Sequence, residues 1–426
     1  MMFSEMNALL KTEIAPALGC TGPIAVSYAT AEAMSAVGGT PKKITVFVDK
    51  DMCTKNDDVS IPGTQIKGLK MAASLGAFAG DPEKKLEVLK DFTPESEARA
   101  RAFVDEGNVH ITPDWKTEVL GVYIDVTVET ENGVGRAIVA KKHSNVVYKS
   151  INDQVLFDAH FDRCAGLDES HDEIAKYSLE DLYRFAAECD IQDLYWLRSA
   201  LEMNHQLADI VLEGSVGVGI AKGLFEINNG DMVRKAKALV AAGIEGRMSG
   251  ADYPAMTCAT SGNAGIAGAL SLCSLAEDLK KDEEAYLRAL ALCYFTTCLG
   301  KNKIGRHSAM CACAVVASCG IAAGSAMLMG GGIGEIQTAI NNTILNVFGI
   351  LCDGARNGCA IKVSSAVGIA IEGAMLAVKG VAVPRNEGVT CGSGEETINF
   401  MGKFAKEGMR YTDLYLCRNL YEKQNA

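Results

Sequence analysis

Aromatic side chains are scarce: Phe, Tyr and Trp make up 6% of the 426 residues, and only two are Trp. A core with few rings is filled by smaller groups, and the 43 glycines allow helices to approach one another closely. Basic excess is missing too. The formal net charge of −12 argues against broad nucleic-acid binding, which needs a basic footprint. There is no Cys-x-x-Cys pair followed by His-x-x-x-His, so zinc-ribbon spacing is absent. The closely spaced cysteine run of a ferredoxin is absent as well. Residues 1–18 carry charges early and hold no apolar run of about 7–15 residues, which argues against a signal peptide. No internal repeat or low-complexity tail is visible.

What the chain does have is cysteine. The count of 15 is odd, so complete internal pairing is impossible. The expectation is a reducing cytoplasm with free thiols, most of them small apolar core filler and three or four doing chemistry. Residues 308–334 hold no charge and are long enough to suggest a membrane span. They are dominated by Ala, Gly, Ser and Cys, and such small residues insert weakly, so a helix buried in a helical protein is expected, with no membrane.

Periodicity divides the chain. Helical spacing covers residues 3–14 and 24–37, the latter stopped by Gly38-Gly39. Alternation then marks strands at 43–50 and 120–129, and Asn132-Gly133 is a hairpin turn into a return strand at 134–141. Short strands at 146–148 and 155–157 and helices at 65–79, 82–90 and 94–106 complete this part. From about residue 178 helices dominate, at 177–189, 193–212, 230–243, 264–279, 282–299, 306–329, 336–348 and 360–378. The fold class is therefore α+β. A mainly α-helical catalytic domain (1–42 and 159–426) is expected to carry an inserted α+β domain (43–158) with a mainly antiparallel sheet.

Four segments carry the candidate chemistry. They are Ala17-Leu18-Gly19-Cys20-Thr21-Gly22-Pro23, Thr260-Ser261-Gly262-Asn263-Ala264-Gly265, Cys311-Ala312-Cys313 with the residues after it, and Cys352-Asp353-Gly354-Ala355-Arg356-Asn357-Gly358-Cys359. Thiolates on glycine-rich turns suit a buried metal or iron–sulfur centre. By spacing alone, buried cysteines packed in Ala/Gly-rich helices are the favoured account.

In order and spacing these segments resemble the L-cysteine desulfidase family, which is related to the alpha chain of iron–sulfur-dependent L-serine dehydratases. The resemblance spans nearly the whole chain. It implies a [4Fe–4S] cluster held by three cysteines, with one iron open to substrate, and β-elimination of a small β-substituted L-amino acid. The dehydratase relatives point to Cys311, Cys352 and Cys359, and the desulfidase members to Cys20. With Cys313 beside Cys311, five thiols stand for three places. The implied role of the open iron is that of a Lewis acid on the leaving thiol or hydroxyl.

On the residues alone Ser261, Gly262, Asn263, Ala264 and Gly265 read as an N-cap and turn opening a helix; with the resemblance, their backbone N–H groups are candidates to cradle the substrate carboxylate, helped by the helix dipole. Thr21 is a further substrate-binding candidate, and Arg306 or Arg356 suits a bidentate carboxylate contact. Lys362, His307 and Asp353 are the candidates for the base that removes the α-proton. Three alternatives stand beside cysteine cleavage. One is serine dehydration by the same chemistry. Another is a pyridoxal-phosphate lyase, for which the 214–219 glycine run offers a phosphate loop without the strand and Lys-Ser/Thr it needs. The third is a non-enzymatic structural or thiol-buffering protein. The expected partner is a small amino-acid substrate, with a homodimer open.

Overall fold

The computed structural model describes residues 2–18, 21–56, 59, 61, 64, 66–116, 122–152, 154–162, 173–305 and 308–425. They are α+β and mainly helical. The chain forms two compact units. One comprises Met1–Ala17, Glu169–Cys352 and Asn357–Arg410, and the other Leu18–Asp168, Asp353–Arg356 and Tyr411–Ala426.

The chain opens with α1 (Met2–Glu13) and a short strand, β1 (Pro16–Leu18), both almost wholly in the helical unit. The sheet unit follows with α2 (Thr21–Val37), β2 (Pro41–Asp49), α3 (Lys50–Lys55), α4 (Leu69–Ala79) and α5 (Pro94–Asp105). Its remaining strands are β3 (Val109–Asp114), β4 (Tyr123–Thr130), β5 (Gly133–Ala140), β6 (Val146–Ile151) and β7 (Gln154–Asp158). The strand order is β3-β2-β4-β5-β6-β7. Every neighbouring pair is antiparallel except β2 with β3, which is parallel because three helices cross over between them. One face places Ile44, Val46, Val48, Ile124, Val126, Val128 and Val139 in a single core with Ala25, Ala29 and Ala33 of α2. Each large side chain buried there is worth about 1.5–3 kcal/mol. This sharing of a core puts α2 with the sheet, in the compact unit that runs from Leu18.

One local reading gives way and one strand is added. Residues 82–90 do not form an α-helix: a 3-10 turn spans Pro82–Glu87, and Lys85 at φ +50° breaks it. Strand β3 is an addition, with Pro113 tolerated because β3 lies at the sheet edge.

The helical unit resumes with α6 (Leu179–Glu188), α7 (Arg198–Leu212), α8 (Ile220–Glu226) and α9 (Met232–Met248). The strand β8 (Pro254–Met256) pairs with β1. Then come α10 (Gly262–Asp278), α11 (Glu283–Ile304), α12 (Ala317–Leu328), α13 (Ile333–Val347), α14 (Gly358–Val378) and α15 (Gly394–Lys403). The last helix, α16 (Arg410–Asn425), belongs almost wholly to the sheet unit. Helices α10 and α12 are buried nearly all round, which their Ala, Gly, Ser and Cys side chains permit. Residues 308–334 are not one helix, since a π-helical turn (Ala312–Val316) precedes α12. By length and composition α14 alone among the described helices is long and apolar enough to cross a membrane, and 56% of its most apolar window is buried within the protein.

Candidate active site

The helical unit brings two distant cysteine segments together through main-chain atoms. Met310 stands opposite Leu351 in an isolated antiparallel bridge. The Cys311 amide donates to the Ile350 carbonyl at 2.8 Å, and the Cys352 amide donates to the Ala309 carbonyl at 2.8 Å. Cys311 then caps the π-helical turn, where the Ala314 and Val315 amides return to its carbonyl. Single π turns inside helices are frequent at functional sites.

Three thiols converge here. The Cys311 side chain hydrogen-bonds with those of Cys313 and Cys352, and this, reinforced by burial, holds Cys311 well above the usual thiol range. Cys313 goes the other way. The hydrogen bond from Cys311 lowers it most, the Ser261 hydroxyl and Lys301 add to this against the effect of burial, and it falls from 9.0 to about 6. The Ser261 Oγ–Cys313 Sγ distance is 3.2 Å. With a folded value below the unfolded one, the Cys313 thiolate contributes stability above about pH 9 and loses that contribution as pH falls through about 6. Ser261→Ala removes a donor to a charged group and is expected to raise the Cys313 midpoint by about one unit or more, read by thiolate absorbance of the metal-free protein.

Ser261 is held by a tight hairpin. Cys258 and Ser261 exchange backbone hydrogen bonds at 2.9 and 3.0 Å, and both residues between them have positive φ: Ala259 at +48° and Thr260 at +65°. A β-branched residue in that region is a steric outlier, and such strain gathers at functional sites. From this hairpin Ser261 caps α10, accepting from the Ala264 amide at 3.3 Å. Asn263 is buried, and its Oδ1 accepts from Arg247 Nη1 at 2.9 Å. A Cβ at Gly265 would overlap the Met256 carbonyl, so the first turn of α10 lies directly on the strand before it. Arg247 is not among the residues that the sequence motifs single out. The Cys-x-Cys spacing was the available signal for Cys313, but whether it points a thiol inward depends on the π turn.

Lys362 on α14 donates from Nζ to the Leu351 carbonyl at 3.0 Å, one residue before Cys352. Cys359 is buried on the first turn of the same helix. The Ser249 hydroxyl reaches Asn357 Oδ1 at 3.2 Å. Asp353, Gly354 and Arg356 group with the sheet unit. Thr21 opens α2, while Cys20, Arg306 and His307 lie outside the described residues. Cys319 donates to the Val315 carbonyl at 3.2 Å, and burial pushes its thiol up to about 12, as befits a core filler.

The glycine run 214–219 has another use than phosphate binding. Glu245 is fully buried, and its carboxylate accepts from the amides of Val218, Gly219, Ile220 and Ala221 at 2.5–3.1 Å. The loop thus wraps an internal anion. In the sheet unit Asp51, Asp413 and Cys417 offer donor atoms within 4.8 Å of one another. Lys50 and Lys55 already pair with both of those carboxylates, which makes the group an ion-pair network before it is a cation site.

A family model described as serine dehydratase alpha chain matches residues 83–417. A UPF0597 protein of Clostridium tetani is 33% identical over 417 residues, covering 98% of both chains. A UPF0597 protein of Caldanaerobacter subterraneus subsp. tengcongensis is 34% identical over 419 residues, again 98% of both. One of Photobacterium profundum is 34% identical over 414 residues, 96% of both.

Proposed function

The chain belongs to the serine dehydratase alpha chain family, and from that premise we propose that it is a lyase cleaving L-cysteine to sulfide, ammonia and pyruvate in the cytoplasm. The observation that carries this reading is the convergence of Cys311, Cys313 and Cys352 beside the Ser261 cap of α10. Soft sulfur donors, one of them a thiolate near neutral pH, fit an iron–sulfur group. Cys311, Cys352 and Cys313 would hold a [4Fe–4S] cluster, with Cys20 and Cys359 the other candidate thiols. When bound, such a cluster supplies a Lewis acid for the departing β-substituent.

The protein's own groups do the rest. The amides at the start of α10, aligned with its dipole, take the substrate carboxylate, and Asn263 is braced for this by Arg247. Lys362 stands beside the Cys352 segment as the candidate to take the α-proton, with Asp353 and His307 as the other candidates. Loss of the α-proton and the β-sulfur leaves aminoacrylate, which water converts to pyruvate and ammonia.

Serine dehydration is the second reading, and the description of the matching family favours it. It uses the same residues with hydroxide leaving. The test is anaerobic reconstitution with iron and sulfide, then turnover of each amino acid. Sulfide with pyruvate from L-cysteine, exceeding pyruvate from L-serine, is the expected result. Pyruvate from serine alone would establish the dehydratase, and turnover by a colourless, iron-free protein would remove the iron–sulfur reading.

A further inference from the structure

We propose that the C-terminal helix α16 is a positioning device for the turn at residues 353–356 and acts through Lys55. This rests on the reading of Cys352 as a cluster ligand. Asp413, in the first turn of α16, is buried and pairs through Oδ1 with Lys55 Nζ at 2.7 Å and through Oδ2 with Lys50. Asp51 completes the group, at 2.6 Å from Lys55 Nζ and 2.7 Å from Lys50 Nζ. Two ammonium groups and two carboxylates therefore balance one another away from water. Burial lowers Lys50, but Asp51 and Asp413 outweigh it and push the group up to about 12. Farther along α16, Gln424 Nε2 donates to the Thr54 carbonyl at 3.1 Å.

What α16 grips is the end of α3, and that end carries the metal-loop turn. The Lys55 carbonyl accepts from the Ala355 amide at 3.1 Å. Gly354 adopts φ +98°, and a Cβ on it would stand 2.6 Å from the Lys55 carbonyl oxygen. The turn therefore lies directly on Lys55, and its first residue, Asp353, follows Cys352 in the chain. A buried quartet of charges adds little net stability, but it fixes geometry, because each partner is costly to leave alone. Tethering Lys55 from both sides by Asp51 and Asp413 sets where the turn rests. Asp413, Lys55 and Gln424 are thus positioning residues for the turn at residues 353–356.

The experiment uses the full chain, kept anaerobic, in Asp413→Asn and Gln424→Ala forms. Amide exchange at residues 353–356 of the metal-free protein is expected to speed up about tenfold or more in Asp413→Asn, with β2 and β4 unchanged. Gln424→Ala, which strands no charge, should shift it in the same direction by less. In reconstituted protein, a chelator should then strip iron faster from both variants than from wild type. Unchanged exchange at 353–356 in both variants would overturn the proposal, and so would iron release equal to wild type. If Asp413→Asn unfolds the sheet unit, seen as faster exchange in β2 and β4, Gln424→Ala decides. A wild-type chain that takes up no iron removes the iron–sulfur reading, and the exchange comparison still decides whether α16 seats the turn.

Discussion

Cys311→Ala and Cys352→Ala are each expected to lose bound iron and to lower kcat/KM about a thousandfold or more, the effect of removing roughly 4 kcal/mol of transition-state stabilisation. Both thiols are brought together by the backbone bridge of residues 309–311 with 350–352, whose hydrogen bonds do not involve the side chains. The alanine proteins should therefore fold as wild type does, and the loss should be chemical. Iron analysis, visible absorbance and steady-state rates with L-cysteine measure it. Cys319→Ala is the control. Its thiol donates to a helix carbonyl in the core, so it should keep both iron and rate. Full iron and full rate in Cys311→Ala would sink the assignment.

Glu245→Ala should have the largest effect on stability, about 3–5 kcal/mol, because it leaves four buried or half-buried amides without their acceptor. Those amides belong to the start of α8 and the turn before it, where a carboxylate also complements the helix dipole. Glu245→Gln keeps one carbonyl oxygen and should lose less. Denaturant unfolding followed by helix signal checks both. A Glu245→Ala midpoint within about 0.5 kcal/mol of wild type would mean that water replaces the carboxylate without penalty.

Much of this was legible in the sequence because it is written in local pattern. The alternation at 120–129, the Asn132-Gly133 turn and the helical spacing after residue 178 each follow from one stretch of chain, and β4, β5 and the helices lie where they indicate. Pairing Cys311 with Cys352 was legible through motif. Other features depend on residues far apart in sequence. Glu245 reads as an ordinary helix carboxylate until the 214–219 loop folds over it. Gly354 reads as a flexible turn residue until Lys55, about 300 positions earlier, lies under it. The direction of Cys313 is not written locally, because an α-helical register and a π turn send the same side chain in different directions. The hairpin at Ala259 and Thr260 was invisible for a different reason: neither residue favours positive φ, so propensity predicts against the conformation adopted.

The bridge between residues 309–311 and 350–352 has a consequence for the life of the protein. In small zinc domains the metal holds the fold, and stripping it hands the chain to proteases. Here two amide–carbonyl bonds hold the cysteine segments in place, so the empty protein should persist, fold intact and thiols gathered. If the proposed iron–sulfur group is lost to oxygen, recovery of activity should follow the supply of iron, sulfide and a thiol reductant and should not wait for new synthesis.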